Sequence, residues 1–148
     1  MATVILGSNR IEDCDAALIV EGVEVFRLRE RTKDGHLVVD FDLHDASGNR
    51  IAKVAKNYVA YAAPGYKFQN RTGVSEVTEV ATGRSIARVE EISPDVVAIS
   101  GTFNVKGYVV EAHPDRLVVG GVTMIGNRIS GSGKAIELRR GTSGIGVG

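Results

Sequence analysis

The chain has 148 residues, 43% of them hydrophobic, and its 18 basic and 18 acidic side chains cancel to a formal net charge of zero. A single domain of this size buries about two-thirds of its unfolded surface, and the apolar content excludes wholesale disorder. Neutrality argues against a protein whose main task is gripping phosphate backbones. The one cysteine, Cys14, excludes an internally disulfide-stapled scaffold.

Along the chain, Thr3-Val4-Ile5-Leu6 opens the first apolar run without a basic leader. No stretch approaches the ~20 apolar residues that span a bilayer. The expectation is a cytoplasmic protein with no membrane partner, forming one all-β domain over residues 1–148. Eighteen glycines and three prolines punctuate short β-rich runs, the pattern of many tight turns.

An internal repeat organises these runs. Gly7-Ser8-Asn9-Arg10-Ile11, Ser47-Gly48-Asn49-Arg50-Ile51, Thr82-Gly83-Arg84-Ser85-Ile86 and Ile125-Gly126-Asn127-Arg128-Ile129 share one pattern. Each is followed by an apolar run (Ala17 to Val20, Tyr58 to Tyr61, Val96 to Ile99, Ala135 to Leu138) and then a glycine turn. The isoleucine anchors at 11, 51, 86 and 129 set a unit of about forty residues. Gly and Asn both tolerate positive φ, so the pair is expected to close a tight turn just before a strand starts at Ile.

Between the anchors the elements read as strands. In residues 36–44, Leu37, Val39, Phe41 and Leu43 alternate onto one face. Residues 50–56 are the best helical candidate, but flanking Gly48-Asn49 and Tyr58-Val59 favour a strand. Residues 85–90 and 102–110 are also strand-like. Lys33-Asp34-Gly35, Ser93-Pro94-Asp95 and His113-Pro114-Asp115 predict turns.

Residues 9–20 and 127–138 share a cadence of Asn, an apolar residue, a polar turn, a small residue and alternating apolars. This cadence resembles one rung of the parallel β-helix proteins, over about thirty residues of the chain in all. The resemblance implies a β-solenoid-like repeat. Unequal loops and charged strands in the middle of the chain depart from it and keep an antiparallel β-sandwich or barrel as the alternative.

Asp40, Asp42 and His44 alternate on the polar face of one strand, with Asp45 just beyond. Ligands at i, i+2 and i+4 would suit a divalent cation, and paired carboxylates would suit glycoside or uronide cleavage. A solvated strand face entering a turn gives the same pattern. Arg27, Arg29, Arg31 and Lys33 fall on one face of an extended run, a ridge that could track an anionic polysaccharide or nucleic acid, or could guard a sheet edge. Cys14 sits among Glu12, Asp13 and Asp15, which disfavour a thiolate and point to a packing role.

Other motifs fail. Ser132-Gly133-Lys134 lacks the earlier glycine and the following hydroxyl residue of a phosphate loop. Asn70-Arg71-Thr72 is a glycosylation sequon only in a secretory context. His36, His44 and His113 sit in turns or at strand ends, and no Ser/His/Asp order, HExxH or CxxC pattern appears. No cofactor and no metal is expected.

The expected function is a non-enzymatic structural or interaction module that self-associates or joins a larger assembly. The apolar pattern runs from near Thr3 to Gly148 with little polar cap, so another subunit is expected to cover the ends. The alternative is a carbohydrate-binding or carbohydrate-cleaving protein using the Asp40/Asp42 face, although four Tyr, four Phe and no Trp leave few stacking platforms. An anionic polymer along the arginine ridge ranks third, and nucleic acid is the least favoured ligand for a neutral chain.

Overall fold

The computed structural model describes residues 2–12, 16–105, 107–126, 128–130, 135–138 and 145–147. Every regular element among them is a strand, in chain order β1 (Thr3–Leu6), β2 (Asn9–Glu12), β3 (Ala16–Val20), β4 (Val23–Lys33), β5 (His36–His44), β6 (Arg50–Ala55), β7 (Tyr58–Ala62), β8 (Tyr66–Arg71) and β9 (Val74–Glu79). These are followed by β10 (Ser85–Ser93), β11 (Val96–Val105), β12 (Tyr108–His113), β13 (Arg116–Val119), β14 (Val122–Met124), β15 (Arg128–Ser130), β16 (Ala135–Leu138) and β17 (Ile145–Val147). The all-β expectation holds. No helix of the described residues is long and apolar enough to cross a membrane.

Local sequence explains most of these strands. β5 buries Leu37, Val39, Phe41 and Leu43 and turns Asp40, Asp42 and His44 outward, the two-residue period of a half-buried strand. The β4–β5 hairpin closes through Asp34 at φ 52° and Gly35 at φ 78°, a pair of positive φ values that matches the right-handed twist of the strands. Residues 102–110 are not one strand: the chain turns at Gly107, and β11 and β12 form a hairpin in which Val105 opposes Tyr108.

Strands adjacent in sequence pair antiparallel in long meanders, β3 to β7 and β8 to β14. Among the described residues the ladders do not close into a barrel. Three pairings among the described residues are parallel and join distant parts of the chain: β1 with β11, β2 with β15 and β3 with β16. In the last two, the first repeat lies on the last at a constant offset of 118 positions, Arg10 beside Arg128 and Ala17 beside Ala135. The two segments with the shared cadence are therefore stacked on each other in register.

The repeat's turn works differently from the expectation. Gly7, Gly48, Gly83 and Gly126 carry the positive φ, whereas Asn9 is the first residue of β2. Asn9 is buried, and its side-chain amide donates to the carbonyls of Leu6 and Met124, both at 3.3 Å. Beside it the Gly126 N–H donates to Ser8 Oγ at 3.0 Å. The asparagine is thus selected for its donors, which tie the first turn to the one that follows β14.

Two long strands change partners along their length. β4 pairs with β3 over Val23 to Leu28 and with β5 over Arg29 to Lys33. β11 pairs with β10 and β1 in its first half, with β12 in its second, and touches β5 where Asn104 opposes His44. Gly101 marks the point of exchange. A Cβ there would lie 2.2 Å from the Ile86 carbonyl oxygen, so only glycine lets β10 approach this closely.

One apolar cluster lies under these strands, including Leu6, Ile11, Leu18, Leu28, Leu43, Ile99, Leu117 and Met124. A polar clamp spans its edge. Asn57, buried and at φ 69° in the β6–β7 turn, accepts from the Val39 N–H at 2.7 Å and donates to the Leu37 carbonyl at 2.8 Å and to Glu91 at 3.1 Å. Its side chain continues the ladder of β5 where no strand lies. Removing it strands a buried donor and acceptor, so Asn57→Ala should cost about 3 kcal/mol in urea unfolding. Asn57→Gly keeps the turn's conformation but not the clamp, and should still cost about 2 kcal/mol. A glycine variant as stable as the wild type would assign the effect to backbone conformation alone.

Candidate functional site

The exchange of partners along β4 opens a groove. Up to Leu28 β4 follows β3, while Phe41 to His44 of β5 follow β6, and the two strands separate beyond the Arg29–Asp40 pair. The space between them, about 740 Å³, is lined by Glu24 to Arg27 and Arg29 to Arg31 of β4, by Asp40, Phe41, Asp42 and His44 of β5, by Lys53 to Ala55 of β6 and by Val105. Phe26 packs edge-on against Phe41 with ring centroids 5.6 Å apart and tilted against Phe103 at 5.8 Å, which gives the groove an aromatic base.

The two polar motifs singled out in the sequence meet here. Arg31 pairs with Asp40 at 3.0 Å, and the Lys56 N–H donates to the same carboxylate at 2.9 Å. Asp40 is thereby a structural acceptor, three-quarters withdrawn from solvent. Asp42 lies across from Lys53 on β6 and 3.9 Å from Arg50. Arg27 is held by Glu24 at 2.9 Å. His44 ends β5 with its Nδ1 shielded from solvent and without a hydrogen-bond partner among the described residues.

Cations outnumber these acids. Arg29, Lys33, Lys53 and Lys56 have no carboxylate partner among the described residues, beside the three that do, Arg27, Arg31 and Arg50. Lys33 is held below the usual lysine range by its hydrogen bond to Lys56 and by the charges of Lys56 and Arg31. A neutral chain has therefore gathered local positive charge on one face.

The same face carries aromatics that sequence reasoning missed. On β7, Tyr58 opposes Ala55 and Tyr61 opposes Lys53, because a bulge at Ala60 breaks the register. Three residues apart, the two tyrosines would point to opposite faces of a regular strand. The bulge turns both to the outside, 47% and 41% exposed, and the Arg50 guanidinium stacks 5.3 Å from the Tyr61 ring centre. Asp42, Lys53 and Tyr61 form one row across three strands.

The remaining candidates resolve individually. Asp45 is no cation ligand: its carboxylate accepts the Ser47 and Asn49 N–H groups at 2.9 Å each and closes the β5–β6 turn. Among the described residues no group of three His, Cys, Asp or Glu could hold a metal ion. The sequon's Asn70 is engaged, exchanging two 3.0 Å hydrogen bonds with the backbone of Val59 and bridging β7 to β8. His113 lies 3.6 Å from Glu111, and His36 is exposed at the start of β5. Asp13, Cys14, Asp15 and Ser132-Gly133-Lys134 lie outside the described residues, and Glu12 is buried in β2. The chain matches no protein-family model, no curated protein and no solved structure.

Two predictions follow from this geometry. Asp40→Ala, which loses both Arg31 and the Lys56 N–H, should destabilise the fold by about 1–2 kcal/mol, whereas Asp42→Ala should stay within about 0.5 kcal/mol. Equal losses in chemical denaturation would contradict the assignment of Asp40 as the structural acid. Asp45 is held below the usual carboxylate range, chiefly by the Asn49 N–H and then by the Asn49 side chain and the Ser47 and Gly48 N–H groups. A depressed folded-state value means that the ionised form supports the fold. The stability gap between wild type and Asp45→Ala should thus be full at neutral pH and close as pH falls below about 4. A gap that widens on acidification would reverse that sign.

Proposed function

We propose that this chain is a non-enzymatic interaction module that self-associates, within an assembly built by stacking its repeat units in the manner of a β-solenoid. The observation that carries the reading is the parallel, in-register stacking of the first repeat on the last. A segment that accepts its own kind along one edge offers the same backbone chemistry to a further copy. Among the described pairings β15 lies parallel to β2 in register, the geometry that a further copy would extend.

The site geometry supports binding over catalysis. Asp40 is committed to Arg31 and the Lys56 backbone, and Asp42 faces Lys53 and Arg50. An acid and base acting on a glycosidic bond need two carboxylates in different protonation states flanking the bond. Here each carboxylate is instead engaged by groups of the fold, Asp40 by Arg31 and the Lys56 N–H and Asp42 by its place beside Lys53 and Arg50.

Light scattering combined with small-angle X-ray scattering tests the assembly. A defined, elongated multimer that persists on dilution is expected, and a monomer of 15.7 kDa at every concentration would overturn self-association. Release of reducing sugar from a polysaccharide, lost in Asp42→Ala, would overturn the non-enzymatic reading.

A further inference from the structure

We propose that the outer face of β4, β5, β6 and β7 binds an anionic glycan, a polysaccharide bearing carboxylate groups. The inference deepens the reading of the chain as a binding module and rests on it. Three features of the face converge on this ligand chemistry.

First, four cations without a carboxylate partner among the described residues stand on this face: Arg29 and Lys33 on β4, Lys53 on β6 and Lys56 in the next turn. Exposed like charges gathered on one face repel. A ligand carrying spaced negative charges relieves the repulsion and gains charge-assisted hydrogen bonds, bidentate ones at Arg29.

Second, acids are interleaved with the cations, with Asp42 44% exposed in its side chain and directly opposite Lys53. A phosphate backbone presents only acceptors, which such carboxylates repel. A uronate polymer presents both carboxylates for the cations and hydroxyl donors for Asp42. The mixture of signs therefore favours a glycan over nucleic acid.

Third, Tyr58 and Tyr61 stand exposed at the β7 end of the same face. A tyrosine ring offers an apolar surface for the C–H groups of a sugar ring together with a hydroxyl for hydrogen bonding. Their joint orientation depends on the Ala60 bulge, which a strand built only for packing would not need. The groove alongside gives a chain of sugars room to descend towards His44, whose Nδ1 has no hydrogen-bond partner among the described residues.

The test is affinity electrophoresis and titration calorimetry of the full chain with polygalacturonate, with neutral dextran, heparin and duplex DNA as comparisons. Binding to polygalacturonate but not dextran is expected, weakening as salt is added. Tyr58→Ala, and separately the Arg29→Ala/Lys53→Ala double variant, should each lower affinity about tenfold or more while circular dichroism stays that of the wild type. Tyr58→Phe should retain most of the affinity, and Arg116→Ala, on β13, should change nothing. No binding to polygalacturonate, binding to DNA at least as tight, or binding to heparin alone would each overturn the proposal. Bound polygalacturonate that becomes shorter on gel filtration would instead overturn the non-enzymatic reading and leave the binding face standing.

Discussion

The exchange of partners along β4 is the constraint on which the rest of this structure depends. A strand of eleven residues hydrogen-bonds β3 with its first half and β5 with its second. No flat sheet satisfies both neighbours, so the sheet must bend and part. The bend carries Phe26 over Phe41 and Phe103 and so brings the β3 and β5 regions into one core. The parting leaves the groove, and the second half of β4 sets Arg29 and Arg31 beside the acids of β5. β11 repeats the device, with Gly101 at its point of exchange and Asn104 returning to the end of β5.

Sheets that part in this way leave backbone groups without strand partners, and asparagines supply them here. Asn57 replaces a missing strand beside Leu37 and Val39, Asn70 does so beside Val59, and Asn9 joins the carbonyls of two turns. An amide side chain has the donor and acceptor of a peptide group, so it completes a ladder without another residue of main chain. Buried donors and acceptors left unmet would cost more than these contacts contribute. The asparagines are therefore part of the sheet's own hydrogen bonding.

The electrostatics follow the same geometry. The neutrality of the chain is an average that conceals a basic face, because strands carrying alternating charges are placed side by side. Pairing uses up Glu24, Asp40 and Asp42 and still leaves four cations without a carboxylate partner among the described residues. Net charge thus excluded a uniformly basic protein correctly and said nothing about any one surface.

By itself the sequence determined the strand character of the chain, the inward set Leu37, Val39, Phe41 and Leu43, the outward set Asp40, Asp42 and His44, and the turn at Asp34-Gly35. These depend on alternation and on backbone preferences that act within a few residues. It also carried the likeness between residues 9–20 and 127–138, whose meaning lay in their stacking. Only the tertiary structure decided that the arginine ridge and the aspartates share a groove, that Tyr58 and Tyr61 face the same way, and that Asn9 serves as a donor and not as a turn residue. Those outcomes depend on register, on a single bulge and on pairings between residues more than a hundred positions apart. No local pattern encodes them, because the energy that selects them is gained only when distant strands bury one common core.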